Sequence, residues 1–204
     1  MRYIWICLAA AFSLLSARAA AQEQPAIHYP RLKNPSFEGR PQEAAPYLEG
    51  WAACNYTSTP DILPGFWGVT TPPFEGSTFI GLIVRNDNTW ESISQALDSP
   101  FLEGYCYRFS VALARSAAYS GYNTPARLRI WGSNSPTSTL GGQLLGSSPT
   151  VAHTEWKVYD FSFVASKNWK YIIIECFYKE PTLLPYRGNI LIDGWSAFIA
   201  CDRA

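Results

Sequence analysis

The chain has 204 residues with 16 basic and 16 acidic side chains, so its formal net charge is zero. Charged residues make up only 16% of it, against about a quarter in ordinary soluble domains, while aromatic residues reach 15%. No basic run of the kind that follows phosphates is present, which argues against nucleic acid as a partner.

Residues 1–21 read as a secretory signal peptide. Arg2 supplies the positive start, the stretch from Ile4 to Leu15 is apolar, and Ala17 to Ala21 offers small residues for cleavage. The leader is too short for a membrane span, so the mature chain is expected to be exported, to the periplasm, the outer surface or the medium, with no transmembrane segment. Its loss removes Arg2 and Arg18 and no acid, leaving the chain slightly acidic. Residues 22–33 form a lead-in, and 34–204 have the length of a single domain.

Of the cysteines, Cys7 lies in the leader; Cys54, Cys106, Cys176 and Cys201 remain, and in an oxidising compartment they allow three connectivities. If the first and last strands close the domain, the end of the last strand lies near the start of whichever strand adjoins it, which favours Cys106 with Cys201. Cys176, inside an apolar strand, suits a small buried hydrophobe.

In chain order, Asn34-Pro-Ser-Phe-Glu-Gly39 reads as a loop entering an opening strand, and residues 40–45 as loop. Trp51 starts a short ordered piece, and Thr59 to Gly65 is turn chemistry. Thr78–Arg85 and Trp90–Leu97 alternate apolar and polar around Asn86-Asp87-Asn88, predicting a hairpin. Tyr107, Phe109, Val111 and Leu113 share one face. Arg127, Arg129 and Trp131 oppose Leu128 and Ile130. Residues 141–145 allow a helical turn at most. Tyr159, Phe161 and Phe163 alternate with Asp160 and Ser162, Tyr171–Tyr178 is apolar apart from Glu175, and Ile190–Ile199 closes the chain. With no sustained helical period, the expected fold is all-β, an antiparallel sandwich.

The same pieces carry a resemblance. Asn34–Glu38, Gly50-Trp51, Gly76-Ser-Thr78, Gln95-Ala-Leu97, Gly104-Tyr-Cys-Tyr-Arg-Phe109 and Ile192-Asp193, in that order, resemble jelly-roll carbohydrate-binding modules of galactose-binding-domain-like fold. Thr59–Gly65, Arg127-Leu-Arg-Ile-Trp-Gly132 and Tyr186-Arg-Gly-Asn-Ile190 look most similar to a branch in secreted and surface proteins of Bacteroidetes. Opening and closing strands lying side by side would let Glu38 and Asp193 share a cation, with carbonyls near Asn34 and Ser77 completing an oxygen shell of the kind Ca2+ takes. Acids at turns are also commonly just solvated. The resemblance implies a structural Ca2+ at this position and a glycan ligand.

No Gly-x-Ser-x-Gly, His-Glu-x-x-His, phosphate-cradling loop or Cys-x-x-Cys occurs, and His28 and His153 are the only neutral-range bases. A glycosidase needs two carboxylates about 5–10 Å apart; Glu91 and Glu175 are available, as in any chain with this many acids. The chain is therefore expected not to be an enzyme. Flat rings and a few placed polar groups make a sugar site, and Arg127, Arg129 and Trp131 share a strand face with Glu91, Glu175, Tyr178, Arg85 and Trp90 on neighbouring segments. The structural alternative pairs Arg129 with Glu175 and plugs Trp90 and Trp131 under a long loop such as 116–125. Trp67, Tyr119, Tyr122 and Tyr186 sit in rim loops suited to specificity, and Trp51, Trp156 and Trp195 are assigned to the core. The function expected is a secreted carbohydrate-binding module; a bacterial surface adhesion or protein-interaction module, binding a cell-surface protein through the same rings and arginines, is the alternative, and a small glycan-active hydrolase a third.

Overall fold

A computed structural model describes residues 29–201. The signal peptide, residues 22–28 of the lead-in and His28 lie outside the described residues. Among the described residues there are thirteen strands and no helix, hence none long and apolar enough to cross a membrane. The strands are β1 (Tyr47–Leu48), β2 (Trp51–Ala53), β3 (Asp61–Leu63), β4 (Phe79–Val84), β5 (Ser92–Phe101), β6 (Cys106–Ala114), β7 (Thr124–Pro125), β8 (Arg127–Ser133), β9 (Gln143–Ser147), β10 (Lys157–Val164), β11 (Trp169–Phe177), β12 (Gly188–Asp193) and β13 (Ile199–Ala200).

They make two sheets. One runs β1-β2-β5-β11-β8-β9; the other runs β10-β6-β12-β4-β3, with β13 on β6 and the short β7 on β12. Every pairing is antiparallel except β7 with β12. This is the expected sandwich.

Period-two alternation explains the core. Ile172, Ile174 and Cys176 of β11 and Leu128 and Ile130 of β8 face Ile80, Leu82 and Val84 of β4 and Ile190 and Ile192 of β12, all fully or nearly fully buried. Each such side chain contributes about 1.5–3 kcal/mol relative to exposure. One end of the sandwich is aromatic: Phe109 stacks on Trp195 at 5.0 Å, and Phe101 meets Phe198 and Tyr107, each at 4.9 Å. Trp51 and Trp195 are in this core, as expected. Trp156 is only partly buried and packs instead on the outer face of the second sheet, in a separate layer built on Leu63, Phe79, Ile83 and Leu191.

Four local expectations are corrected. Asn34–Gly39 forms a turn rather than an opening strand: the Asn34 side chain accepts from Glu38 N–H and donates to Glu38 C=O, closing the segment on itself. Thr78–Arg85 and Trp90–Leu97 keep a hairpin turn (Arg85 N–H to Thr89 C=O, Val84 opposite Trp90), but β4 then continues in one sheet and β5 in the other. At the predicted helical turn, Gly141 and Gly142 lie in the turn entering β9 and 143–145 belong to β9, which pairs with β8. The 116–125 loop covers the second sheet, with Tyr119 buried against Phe79; it lies away from Trp90 and Trp131. Cys106 and Cys201 are joined by a disulfide with a Cα–Cα distance of 5.4 Å, tying β13 to the start of β6, and Cys54 and Cys176 are free and buried.

Candidate functional site

The outer face of the first sheet is where chemistry collects. Leu128 and Ile130 point inward, so Arg127, Arg129 and Trp131 must point out; β11 pairs Glu175 with Arg129 and Ile173 with Trp131, placing Glu175 beside them. The carboxylate of Glu175 organises the cluster. Its Oε1 accepts from Arg129 Nε at 2.6 Å and from the Trp131 indole N–H at 2.7 Å, and its Oε2 from the Trp90 indole N–H at 2.8 Å. The Arg129 guanidinium lies 3.2 Å from the ring centroid of Phe177, with Trp131 and Trp90 at 5.5 and 5.7 Å. Burial lowers the Arg129 pKa, while the Glu175 charge and hydrogen bond oppose that shift. Ion pair and rings therefore form one rigid unit at one end of the face.

From this unit a groove runs over the floor of β5 and β11. A cavity of about 300 Å3 is bounded by Trp90, Glu175, Ser92 and Ile173, and a second of about 290 Å3 by Ser94, Ala96, Ala52 and Tyr171. Small floor residues give the depth. The segment after β8 bends back over the sheet: Pro136 lines the second cavity, and Thr137, Ser138 and Thr139 line the first. Asn134 fixes that strap by donating to Asn168 C=O and accepting from Lys170 N–H, and Ser133 Oγ donates to Ser138 C=O. The opposite wall is the turn after β2, with Asn55 and Thr57 lining the first cavity. Tyr171 and Glu175 are four residues apart on one strand, which makes the groove roughly 13 Å long. The first cavity is lined mainly by hydroxyls and amides, the second mainly by rings and small apolar side chains (Tyr47, Trp51, Ala52, Ala96, Pro136, Tyr171); the charged groups among the lining residues are Glu175, paired with Arg129, and Lys33.

Of the residues expected to bind, Trp90, Arg129, Trp131 and Glu175 come together here. Trp90 and Glu175 line the first cavity; Arg129 and Trp131 line neither and back its end through Glu175, and Arg127 lies alongside, over Phe177 and paired with Glu180. The others go elsewhere. Glu91 turns away from the groove and is wholly buried, accepting from Thr59, Ile83 N–H and Arg85. Burial pushes its pKa up to about 7, outweighing the Thr59 hydrogen bond and the Arg85 charge. Arg85 is therefore half of an internal ion pair. Tyr178 donates to Arg85 C=O and Tyr186 to Pro125 C=O, both as struts. Trp67, Tyr119 and Tyr122 lie on the side of the second sheet. Tyr119 is buried and donates to the Asp61 carboxylate, Trp67 donates to its other oxygen, and Tyr122 packs on Tyr119.

Strand parity carried a signal for two of these. Glu91 is adjacent to Trp90, and neighbours on an extended strand cannot face the same way; Tyr178 stands an odd number of residues from Glu175. The residues missed altogether, Asn55, Thr57 and Thr137–Thr139, are ordinary turn residues until the sheet order sets them over the face.

Beyond the Lys33 end of the groove, one loop connects Glu38 and Asp193. Glu38 accepts from Ser77 N–H at 3.0 Å, and Asp193 Oδ2 accepts from Phe74 and Glu75 N–H at 2.9 and 3.0 Å. Gly76, at φ +63°, passes so close that a Cβ there would collide with the Glu38 carboxylate. Trp195 N–H donates to Pro35 C=O, linking the two chain segments directly. Burial, with the Glu38 charge adding to it, raises Asp193 to about 6. The oxygens of both carboxylates accept from backbone N–H groups, that of Ser77 on Glu38 and those of Phe74, Glu75 and Gly194 on Asp193. Among the described residues no group of three acidic, histidine or cysteine side chains gathers anywhere.

No family model matches the chain, and no curated protein matches its sequence. Solved structures do match. The CBM22-1 xylan-binding domain of Xyn10C from Paenibacillus barcinonensis aligns over 83% of this chain and 93% of its own, at 13% identity and a TM-score of 0.50. The fold is the jelly roll of carbohydrate-binding modules. The same sandwich also appears in an apo cyclase from Fischerella sp. (86% of this chain, 98% of that one, 12% identity, TM-score 0.55) and in the K2 adhesin domain of Lys-gingipain (79% and 96%, 12% identity, TM-score 0.50). At these identities the likeness is one of fold, and the site has to be argued from its own residues.

Proposed function

We propose that this chain is an exported, non-catalytic carbohydrate-binding module that takes a run of sugar rings in the groove over β5 and β11, with Ca2+ held by Glu38 and Asp193 as a structural ion. The observation that carries the reading is the groove itself: an elongated channel with rings and small apolar side chains along one half and hydroxyls and amides along the other, ending on Trp90 and on the Glu175 that Trp131 and Arg129 hold. Sugars present hydroxyls in fixed directions and apolar C–H faces, and this wall offers partners for both. Arg127 and Arg129 are each paired with a carboxylate, so dense anionic groups find no unpaired arginine there, and the ligand class is a glycan of low charge density. Glu175 is the one carboxylate lining either cavity, with both oxygens engaged by indole and guanidinium donors, and Glu91 points away. No acid–base pair spans the groove, which supports binding without hydrolysis. The leader and the Cys106–Cys201 disulfide support export.

The cation's part is mechanical. It would neutralise the two carboxylates and clamp the loop around Gly76 to both ends of the chain; Glu38 and Asp193 line neither cavity, so no ligand contact passes through it.

Affinity electrophoresis against a panel of xylan, mannan, galactan and mixed-linkage glucan tests the reading. The mature protein is expected to be retarded by at least one of them, and Trp131→Ala to migrate as if no polysaccharide were present. A folded protein retarded by none would overturn it and leave a protein partner as the occupant of this face.

A further inference from the structure

Resting on that reading, we infer that Tyr56 and Leu140 are the lips of the groove, and that Tyr56 is a ligand-contacting, specificity-setting residue that lays its ring on the bound sugar from above. Three apolar side chains in the described structure are more than nine-tenths exposed: Leu183 at 98%, Tyr56 at 96% and Leu140 at 93%. Two of these three stand next in sequence to residues that line the same cavity. Tyr56 sits between the lining residues Asn55 and Thr57, and Leu140 follows Thr139 on the strap. A single exposed ring needs no explanation; a pair crowning the two walls of one polar channel does.

The wall that carries Tyr56 is braced. Asn55 Oδ1 accepts from Thr57 N–H at 2.9 Å, from the Thr57 hydroxyl and from Ser58 N–H at 3.0 Å, closing the turn on itself. Below it, Cys54 N–H donates to Ser92 C=O, Ser92 N–H donates to Ser58 Oγ, and Thr59 is bound through its N–H and hydroxyl to buried Glu91. The turn is thus tied at both ends to the strand that forms the groove floor. Among the described residues no ring stacks on Tyr56. The turn fixes the backbone that carries the ring, so binding costs only the freedom of the two side-chain torsions of a tyrosine. Trp90 supplies a ring at the end wall, and the floor beneath offers only the small Ser92 and Cys54 and the side of Ile173, so a second ring for the opposite face of a sugar in the first cavity comes from the lip.

Tyr56→Ala, Tyr56→Phe and Trp131→Ala are compared by affinity electrophoresis and titration calorimetry, using whichever polysaccharide of the panel retards the unmodified protein. Because Tyr56 is exposed, all Tyr56 variants are expected to keep the unmodified melting temperature. Tyr56→Ala is expected to bind about tenfold more weakly, the scale of one aromatic contact, and Tyr56→Phe within about twofold, since the ring face and not the hydroxyl makes the contact. If Tyr56→Ala binds within twofold of the unmodified protein while Trp131→Ala is lost, the lip is not a contact and the inference fails, with the groove reading intact. If the unmodified protein binds no member of the panel, both fail together.

Discussion

Replacing Glu175 with Gln tests the idea that one carboxylate organises the groove's end. Gln keeps one acceptor oxygen, but its NH2 then faces either the Trp90 or the Trp131 and Arg129 donors, so at least one indole or guanidinium N–H loses its partner. Glu175 is 3% and Arg129 18% exposed at the side chain. Breaking a buried pair from one side costs about 3–5 kcal/mol. The partial exposure of Arg129 and the rings around it, which attract a cation by about 0.5–2 kcal/mol, bring the expected loss to about 2–3 kcal/mol. Urea denaturation, read as a fall in midpoint at constant slope, measures it. Arg129→Met with Glu175→Met should lose less than Glu175→Gln alone, because no charge is then stranded among the rings. Both variants should also lose retention on polysaccharide, since Trp90 and Trp131 are no longer held. A Glu175→Gln protein within 1 kcal/mol of the parent, or a double variant worse than the single, would refute the organising role.

The remaining predictions concern protons and the ion. Glu91 has a folded pKa of about 7 against an ordinary 4.5, so between those values the native state holds the extra proton; unfolding free energy should therefore fall as pH rises from about 4.5 to 7, by about 3 kcal/mol in all. A flat profile across that window, measured by urea denaturation in the presence of chelator, would show that Arg85 keeps Glu91 ionised. Asp193 is raised in the same direction, and without a cation it adds to the loss of stability between its ordinary 3.8 and about 6. Saturating Ca2+ holds Asp193 ionised, so the gain in melting temperature from Ca2+ should be larger at pH 7 than at pH 5 and vanish in Asp193→Asn. An unchanged melting temperature with Ca2+ or with chelator at pH 7 would remove the ion from the account.

Much of the fold was legible because it is local. Alternation in β6, β8 and β10 is a property of each strand alone, and it named the inward Leu128 and Ile130 and hence the outward Arg129 and Trp131. Glu175 inside an otherwise apolar run on β11 marked a polar group that had to find partners. The hairpin was misjudged because a turn fixes only its own few residues: Val84 and Trp90 pair as a hairpin would, yet β4 and β5 part to different sheets, and that choice is made by β11 and β12, which lie about a hundred residues further along. The opening motif was misjudged for a related reason. Asn34 satisfies its own segment through Glu38, so the chain needs no ladder partner there, and contact with the closing strand runs through the loop around Gly76.

By itself, then, the amino-acid order determined that this is a β-sandwich with aromatic stock to spare, and which residues on each strand share a side, because side-chain alternation follows from backbone geometry at every step. It could not determine what covers each side. Whether Trp67 or Trp90 borders a groove, whether Glu91 or Glu175 faces it, and that Tyr56 and Leu140 flank its lining all depend on sheet order and on where the β8–β9 strap folds back. Those are settled only when strands distant in the chain compete for the same hydrogen-bonding edges and bury their apolar faces against one another.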